Sequence, residues 1–207
     1  MKRAFISDFG GVLTSPLSEG FLAYQEESKV SLEELGLAMG RAAEIHGEHP
    51  LFALERGEIS EREFADRLER ELPDGFSLTR LREVYFERLV PNVPMIAFAR
   101  ELRERGLRTA LLTNNVREWE PLWRAKLPEL DEIFEVVVDS AFVGMRKPDP
   151  QIYELTVERM GIAASDCVFL DDLEVNCEAA RALGMSAVRF EDTGRAIEAI
   201  EAALSGP

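Results

Sequence analysis

The sequence predicts an α/β protein built on a doubly wound parallel sheet, with a small helical cap inserted into it. Three observations carry this. Five short apolar runs recur: AFIS (4–7), RTALLT (108–113), EVVVD (135–139), CVFLD (167–171) and SAVRF (186–190). They are continuous rather than alternating, as strands covered on both faces are. Helical patterns separate the later runs, and strand–helix alternation defines this class.

Taken in order, the first run starts almost at the N-terminus. That leaves no room for a signal peptide, and no apolar stretch approaches a membrane span. Residues 17–92 then break the rhythm. They hold helical stretches at 31–43, 60–72 and 78–90 and no convincing strand, so they read as a helical cap inserted after the first core strand. VPNVP (90–94) is the expected return linker, and 1–16 with 93–207 forms the α/β core. MIAFARELRERG (95–106) ends at a glycine suited to the position after a helix. PQIYELTVERMG (150–161) opens with proline and closes with glycine. Helices at 174–184 and 193–204 complete the alternation.

The chain has 207 residues, enough for a core with a smaller insert. Its net charge of −15 disfavours nucleic acid and anionic membranes as partners. An anionic substrate would need a metal and local cations. Cys167 and Cys177 lack metal-ligand spacing and read as reduced, partly buried thiols of a cytoplasmic protein.

In an open parallel sheet, ligands bind beyond the carboxyl ends of the strands. Asp8 ends the first strand, Thr113 with Asn114 the second, and Asp171 with Asp172 the fourth. Lys147 lies in GMRKPDP (144–150), before a helix. Each alone has a plain structural use: a helix cap, a turn, a solvated charge. Together they have a chemical logic. A carboxylate attacks phosphorus. Mg²⁺ offsets charge and needs oxygen ligands, which an aspartate pair offers. A hydroxyl, an amide and an ammonium hold phosphate oxygens.

DFGGVL (8–13), LLTNN (111–115), GMRKPDPQIY (144–153) and VFLDDLEVN (168–176) resemble the motifs of the haloacid dehalogenase superfamily. The resemblance spans the chain and is strongest to bacterial α-D-glucose-1-phosphate phosphatases and the N-terminal phosphatase domain of soluble epoxide hydrolases. LERGEIS (54–60) is similar to a cap segment of that subgroup. The resemblance implies a Rossmann-like core and a Mg²⁺-dependent phosphatase acting on a small phosphorylated metabolite. It also implies the roles. Asp8 is the nucleophile and a Mg²⁺ ligand, Asp172 and the Gly10 carbonyl are further ligands, and Thr113 and Asn114 bind phosphate. Lys147 steadies nucleophile and phosphoryl group, Asp171 sits close to the metal or acts through water, and Asn176 stands behind.

Many relatives carry an aspartate where this chain has Gly10, and its carboxyl shuttles a proton. Glycine keeps the carbonyl and loses that help, worth about 10²–10⁴-fold in rate, although a tight turn also favours glycine. Three readings follow. The first is a phosphatase for a leaving group needing little protonation, such as a sugar 1-phosphate, or one helped by His46 or His49 of the cap. The second is a metal-independent haloacid dehalogenase, against which the 171–172 pair and a missing tyrosine count. The third is a non-catalytic phosphometabolite-binding protein. Trp119 and Trp123 read as packing residues rather than substrate contacts.

Overall fold

The computed structural model describes residues 2–28, 30–73 and 76–206. Five parallel strands form one sheet: β1 (Ala4–Ser7), β2 (Arg108–Thr113), β3 (Val136–Asp139), β4 (Cys167–Asp171) and β5 (Ser186–Arg189), in the order β3-β2-β1-β4-β5. β1 is therefore central, and the chain crosses to its other side between β3 and β4. That reversal opens a crevice at the carboxyl end of β1, the usual ligand position in such sheets.

Successive side chains alternate between faces, so each continuous apolar run feeds two core layers. Phe5, Leu111, Val168 and Leu170 pack with Met95, Phe98, Ile200 and Leu204. Ala4, Ile6, Ala110, Leu112 and Phe169 pack with Ile152, Tyr153, Met160 and Ala180. Burial on both faces is why the runs do not alternate in polarity.

Among the described residues, five helices occupy the segment 17–92: α1 (Leu17–Ser28), α2 (Leu32–His46), α3 (Pro50–Glu55), α4 (Glu61–Glu69) and α5 (Leu81–Arg88). Ser31 caps α2 in a reciprocal box with Glu34, and Ser60 caps α4. The chain leaves and rejoins the core through two touching connectors. Ser15 N–H donates to the Val90 carbonyl at 2.8 Å, Asn92 N–H donates to Leu13 at 2.8 Å, and Thr14 bridges Pro91.

Along the core come α6 (Val93–Glu104), α7 (Glu120–Ala125), α8 (Leu130–Ile133), α9 (Ser140–Val143), α10 (Pro150–Met160), α11 (Glu174–Ala182) and α12 (Thr193–Ser205). α6 starts two residues before the expected 95, because the Asn92 side chain accepts from Met95 N–H and Pro94 occupies the first turn. The linker 90–94 is thus non-helical only through Asn92. α10 runs as expected from Pro150, with Asp149 as its cap, to Gly161 at φ 61°. The expected helix at 60–72 ends at Glu69. The short helices α3, α8 and α9 have no sequence signature, since four to six residues carry too little periodicity.

Cys167 and Cys177 are free and buried, and burial pushes their thiols up to about 11 and about 12. Among the described residues no helix is long and apolar enough to cross a membrane.

Candidate active site

Asp8 follows β1 and its N–H donates to the Leu170 carbonyl of β4 at 2.9 Å. This anchors the first loop between the two central strands. Asp171 ends β4 and Asp172 follows it. Carboxylate oxygens of Asp8, Asp171 and Asp172 all lie within 4.8 Å of one another. Lys147 reaches into this cluster fully buried. Its Nζ is 2.7 Å from Asp8 Oδ1 and 2.6 Å from Asp171 Oδ2. Burial disfavours the ammonium, but Asp171 and Asp8 outweigh it and hold Lys147 above its ordinary range. Burial pushes the Asp8 carboxyl up to about 7, with Lys147 pulling the other way and Asp171 adding to the rise. Asp172 is half-buried and likewise raised by burial, then by Asp171.

The three aspartates are not equivalent. Asp171 accepts from Lys147 Nζ on one oxygen, and from Leu173 N–H and Asn176 Nδ2, each at 2.9 Å, on the other. Both of its oxygens are occupied. Asn176 is in turn held by Tyr153, whose hydroxyl donates to its carbonyl at 3.0 Å. Asn176 therefore stands behind Asp171.

Thr113 is buried at the end of β2 and lines the same cavity, as do Asn114, Gly10 and Lys147. Asn114 also holds the segment that carries Lys147. Its Oδ1 accepts from Lys147 N–H at 2.8 Å and its Nδ2 donates to the Lys147 carbonyl at 3.0 Å. The side-chain amide thus clamps the backbone that presents the lysine.

The first loop also separates its two glycines. A Cβ on Gly10 would meet no atom within 4 Å, and Gly10 is not among the positive-φ glycines. Gly11 has φ 79°, and a Cβ there would run into the Asp172 carboxylate. The loop needs glycine at position 11. The turn makes no such demand at Gly10.

The opposite wall comes from the helices between β1 and β2. His46 is exposed and His49 stacks on Phe52 with ring centroids 4.7 Å apart; neither lines the cavity. Burial and then Arg146 hold the His49 imidazole below its usual range. Neither candidate histidine therefore stands in the cavity wall. Glu55 of α3 does line the cavity. Arg146 Nε donates to its Oε2 at 2.6 Å, while the guanidinium lies 4.0 Å over the Phe52 ring. Burial pushes the Glu55 carboxyl up, against the pull of Arg146. Sequence reasoning missed both residues, although Arg146 precedes Lys147 and Glu55 sits inside LERGEIS. Trp119 packs against Tyr85 at 5.3 Å and also lines the cavity, whereas Trp123 is buried against Phe9 at 5.2 Å.

A family model described as a haloacid dehalogenase-like hydrolase matches residues 2–184. The chain belongs to that family of hydrolases, as the fold and strand-end motifs indicated. Acyl-CoA dehydrogenase family member 10 of Mus musculus is 29% identical over 211 residues, covering 99% of this chain and 19% of its own length. Bifunctional epoxide hydrolase 2 of Rattus norvegicus is 27% identical over 213 residues, covering 96% and 38% respectively. The chain thus spans less than half of either relative. A phosphatase of Mycobacterium tuberculosis is 32% identical over 148 residues, 69% of this chain and 67% of its own. Among solved structures, an enzyme of the same family from Bacteroides thetaiotaomicron, in complex with magnesium and inorganic phosphate, aligns with a TM-score of 0.68 at 24% identity. The alignment covers 92% of this chain and 95% of that one.

Proposed function

We propose that this hydrolase is a Mg²⁺-dependent phosphatase of small phosphorylated metabolites, acting through an aspartyl-phosphate on Asp8. The observation that carries this reading is the buried Lys147 bridging Asp8 and Asp171, with Asp172 beside them and, among the described residues, no cationic side chain paired with its carboxylate. Three carboxylates face one ammonium, and all the donors are hard oxygens. Such a set fits Mg²⁺. Asp8, Asp172 and the Gly10 carbonyl would hold the ion, while Asp171, already occupied, orients Lys147. When bound, the ion supplies positive charge against the phosphoryl oxygens. The magnesium and phosphate complex of the Bacteroides enzyme and the phosphatase among the relatives support the same reading.

In the chemistry, an Asp8 oxygen bonds to phosphorus as the ester bond to the alcohol oxygen breaks. The alcohol oxygen takes up a proton. Water then attacks the phosphorus, releasing phosphate and restoring the carboxylate. Lys147 aims Asp8 and neutralises part of the incoming charge. Thr113 offers its hydroxyl to the phosphoryl group. Asn114 fixes Lys147 from behind.

Residues 17–92 act as the cap over a core of 1–16 and 93–207, excluding water when closed. With no carboxyl at position 10 and no histidine in the wall, leaving oxygens that need little protonation are favoured. The charge of −15 supports a small-molecule partner rather than nucleic acid or membrane. The cysteine usage supports a cytoplasmic setting.

The test is phosphate release from a panel of monoesters, with Mg²⁺ and after exhaustive chelation. Activity that vanishes on chelation and returns with Mg²⁺ is expected. Halide release from 2-haloacids by metal-free protein would establish the dehalogenase instead, and metabolite binding without turnover the non-catalytic reading.

A further inference from the structure

Beyond the phosphate-binding end, the cavity continues under the helical wall, with a volume of about 400 Å³. That is the size of a small-molecule pocket. Its two ends differ sharply. Asp8, Thr113, Lys147 and Asp172 gather at the strand ends. The far walls are made by Phe21, Leu51, Leu54, Phe64, Leu81 and Trp119. The helical side adds the Ser18 hydroxyl and two glutamates that are already paired with arginines. Glu55 accepts from Arg146 at 2.6 Å and Glu61 accepts from Arg82 at 2.8 Å.

A sugar in this chamber would present hydroxyls to hydrocarbon, and each one without a partner is costly to desolvate. An apolar group would replace water against the same surface at a gain. We infer that the alcohol half of the substrate is apolar, an aryl alcohol rather than a sugar, seated in this chamber while its phosphate lies at Asp8. This deepens the phosphatase reading and rests on it. It also replaces the sugar 1-phosphate expected from the sequence.

The experiment separates apolar contact from leaving-group chemistry. A series of 4-alkylphenyl phosphates, from methyl to hexyl, keeps the acidity of the leaving phenol nearly constant while its apolar area grows. KM with Mg²⁺ is expected to fall about two- to fourfold per added methylene until the chamber is filled. Glucose 1-phosphate should be bound at least about tenfold more weakly than the middle of the series. Phe21→Ser and Leu51→Ser, both at half-buried wall positions, should flatten the dependence on chain length. A KM that ignores chain length, or a preference for glucose 1-phosphate over the whole series, overturns the inference. The same series is titrated by calorimetry into Asp8→Asn protein with Mg²⁺. If no ester is hydrolysed by wild type, the phosphatase reading fails. Affinity that rises with chain length would still support the apolar chamber, and flat affinity would overturn it.

Discussion

At the strand ends, polar side chains hold one another through contacts fixed by the sheet: Lys147 touches Asp8 and Asp171, Asn176 holds Asp171, and Asn114 clamps the Lys147 backbone. Across the same cavity, the helical wall presents Phe21, Leu51, Leu54 and Phe64, and its glutamates are paired with arginines. One end is charged, buried and built from four sequence motifs; the other is apolar and assembled from several helices. In the proposed function chemistry belongs to the first part and selectivity to the second, so substitutions on each side should have effects of different kinds.

The largest effect belongs to the nucleophile. Asp8→Asn keeps the size of the side chain and should lower kcat by at least about 10³-fold on any ester, with unfolding in urea little changed. A rate within tenfold of wild type on every substrate would remove Asp8 from that role. A change on the wall, by contrast, should alter the ranking of substrates rather than abolish turnover.

Next comes the buried ammonium. Lys147→Met leaves Asp8 and Asp171 facing each other without a cation and should cost about 3–5 kcal/mol of stability. Equilibrium unfolding without metal measures this. A loss below about 1 kcal/mol would mean that the trio contributes no more than a surface ion pair.

The two loop glycines sharpen the contrast further. Gly10→Asp meets no neighbour within 4 Å of its Cβ and carries no left-handed backbone, so the variant should fold and bind Mg²⁺. It should raise kcat/KM for alkyl phosphates by up to about 10²-fold, with less gain for aryl phosphates, which need less protonation. Equal gains for both classes would show that the carboxyl acts otherwise. No gain in a folded, metal-bound variant would mean that a wall group already supplies the proton, and Glu55, not a histidine, faces the cavity to do so. Gly11→Ala should instead weaken metal binding, because its Cβ would displace Asp172.

The smallest effect tests a strand-end carboxylate that has no lysine. Asp139 ends β3, one of its oxygens has no partner, and burial pushes it up to about 6 from a usual 3.8. The folded state holds this proton more tightly than the unfolded state. Its ionisation therefore costs nothing near pH 4, and the cost grows as pH rises through 6 and stays above it. Asp139→Asn should stabilise the protein by on the order of 2 kcal/mol at pH 8 and hardly at pH 4. Denaturant midpoints at the two pH values check this, and an equal shift at both would contradict it.

The strands and the strand-end motifs were legible because burial on both faces leaves uninterrupted apolar runs, and each run delivers its polar residue at its end. The wall was not. Glu55 and Arg146 meet across 91 positions of sequence, and α3 has only six residues, too few for a periodic signal. Histidine drew attention by its chemistry, but residue type says nothing of position: His49 stacks on Phe52 away from the cavity. The clamp of the Asn114 side chain on the Lys147 backbone spans 33 positions, and its motif carries no sign of it.

The paired connectors at Leu13–Ser15 and Val90–Asn92 have a consequence for how such a protein diversifies. Because the chain exits and re-enters the sheet at neighbouring points already joined by backbone hydrogen bonds, everything between them is topologically a single detour. A different helical module with the same two ends can be spliced in without re-registering a strand. A chimaera cut at these connectors is therefore the natural way to move substrate preference from one member of the family to another.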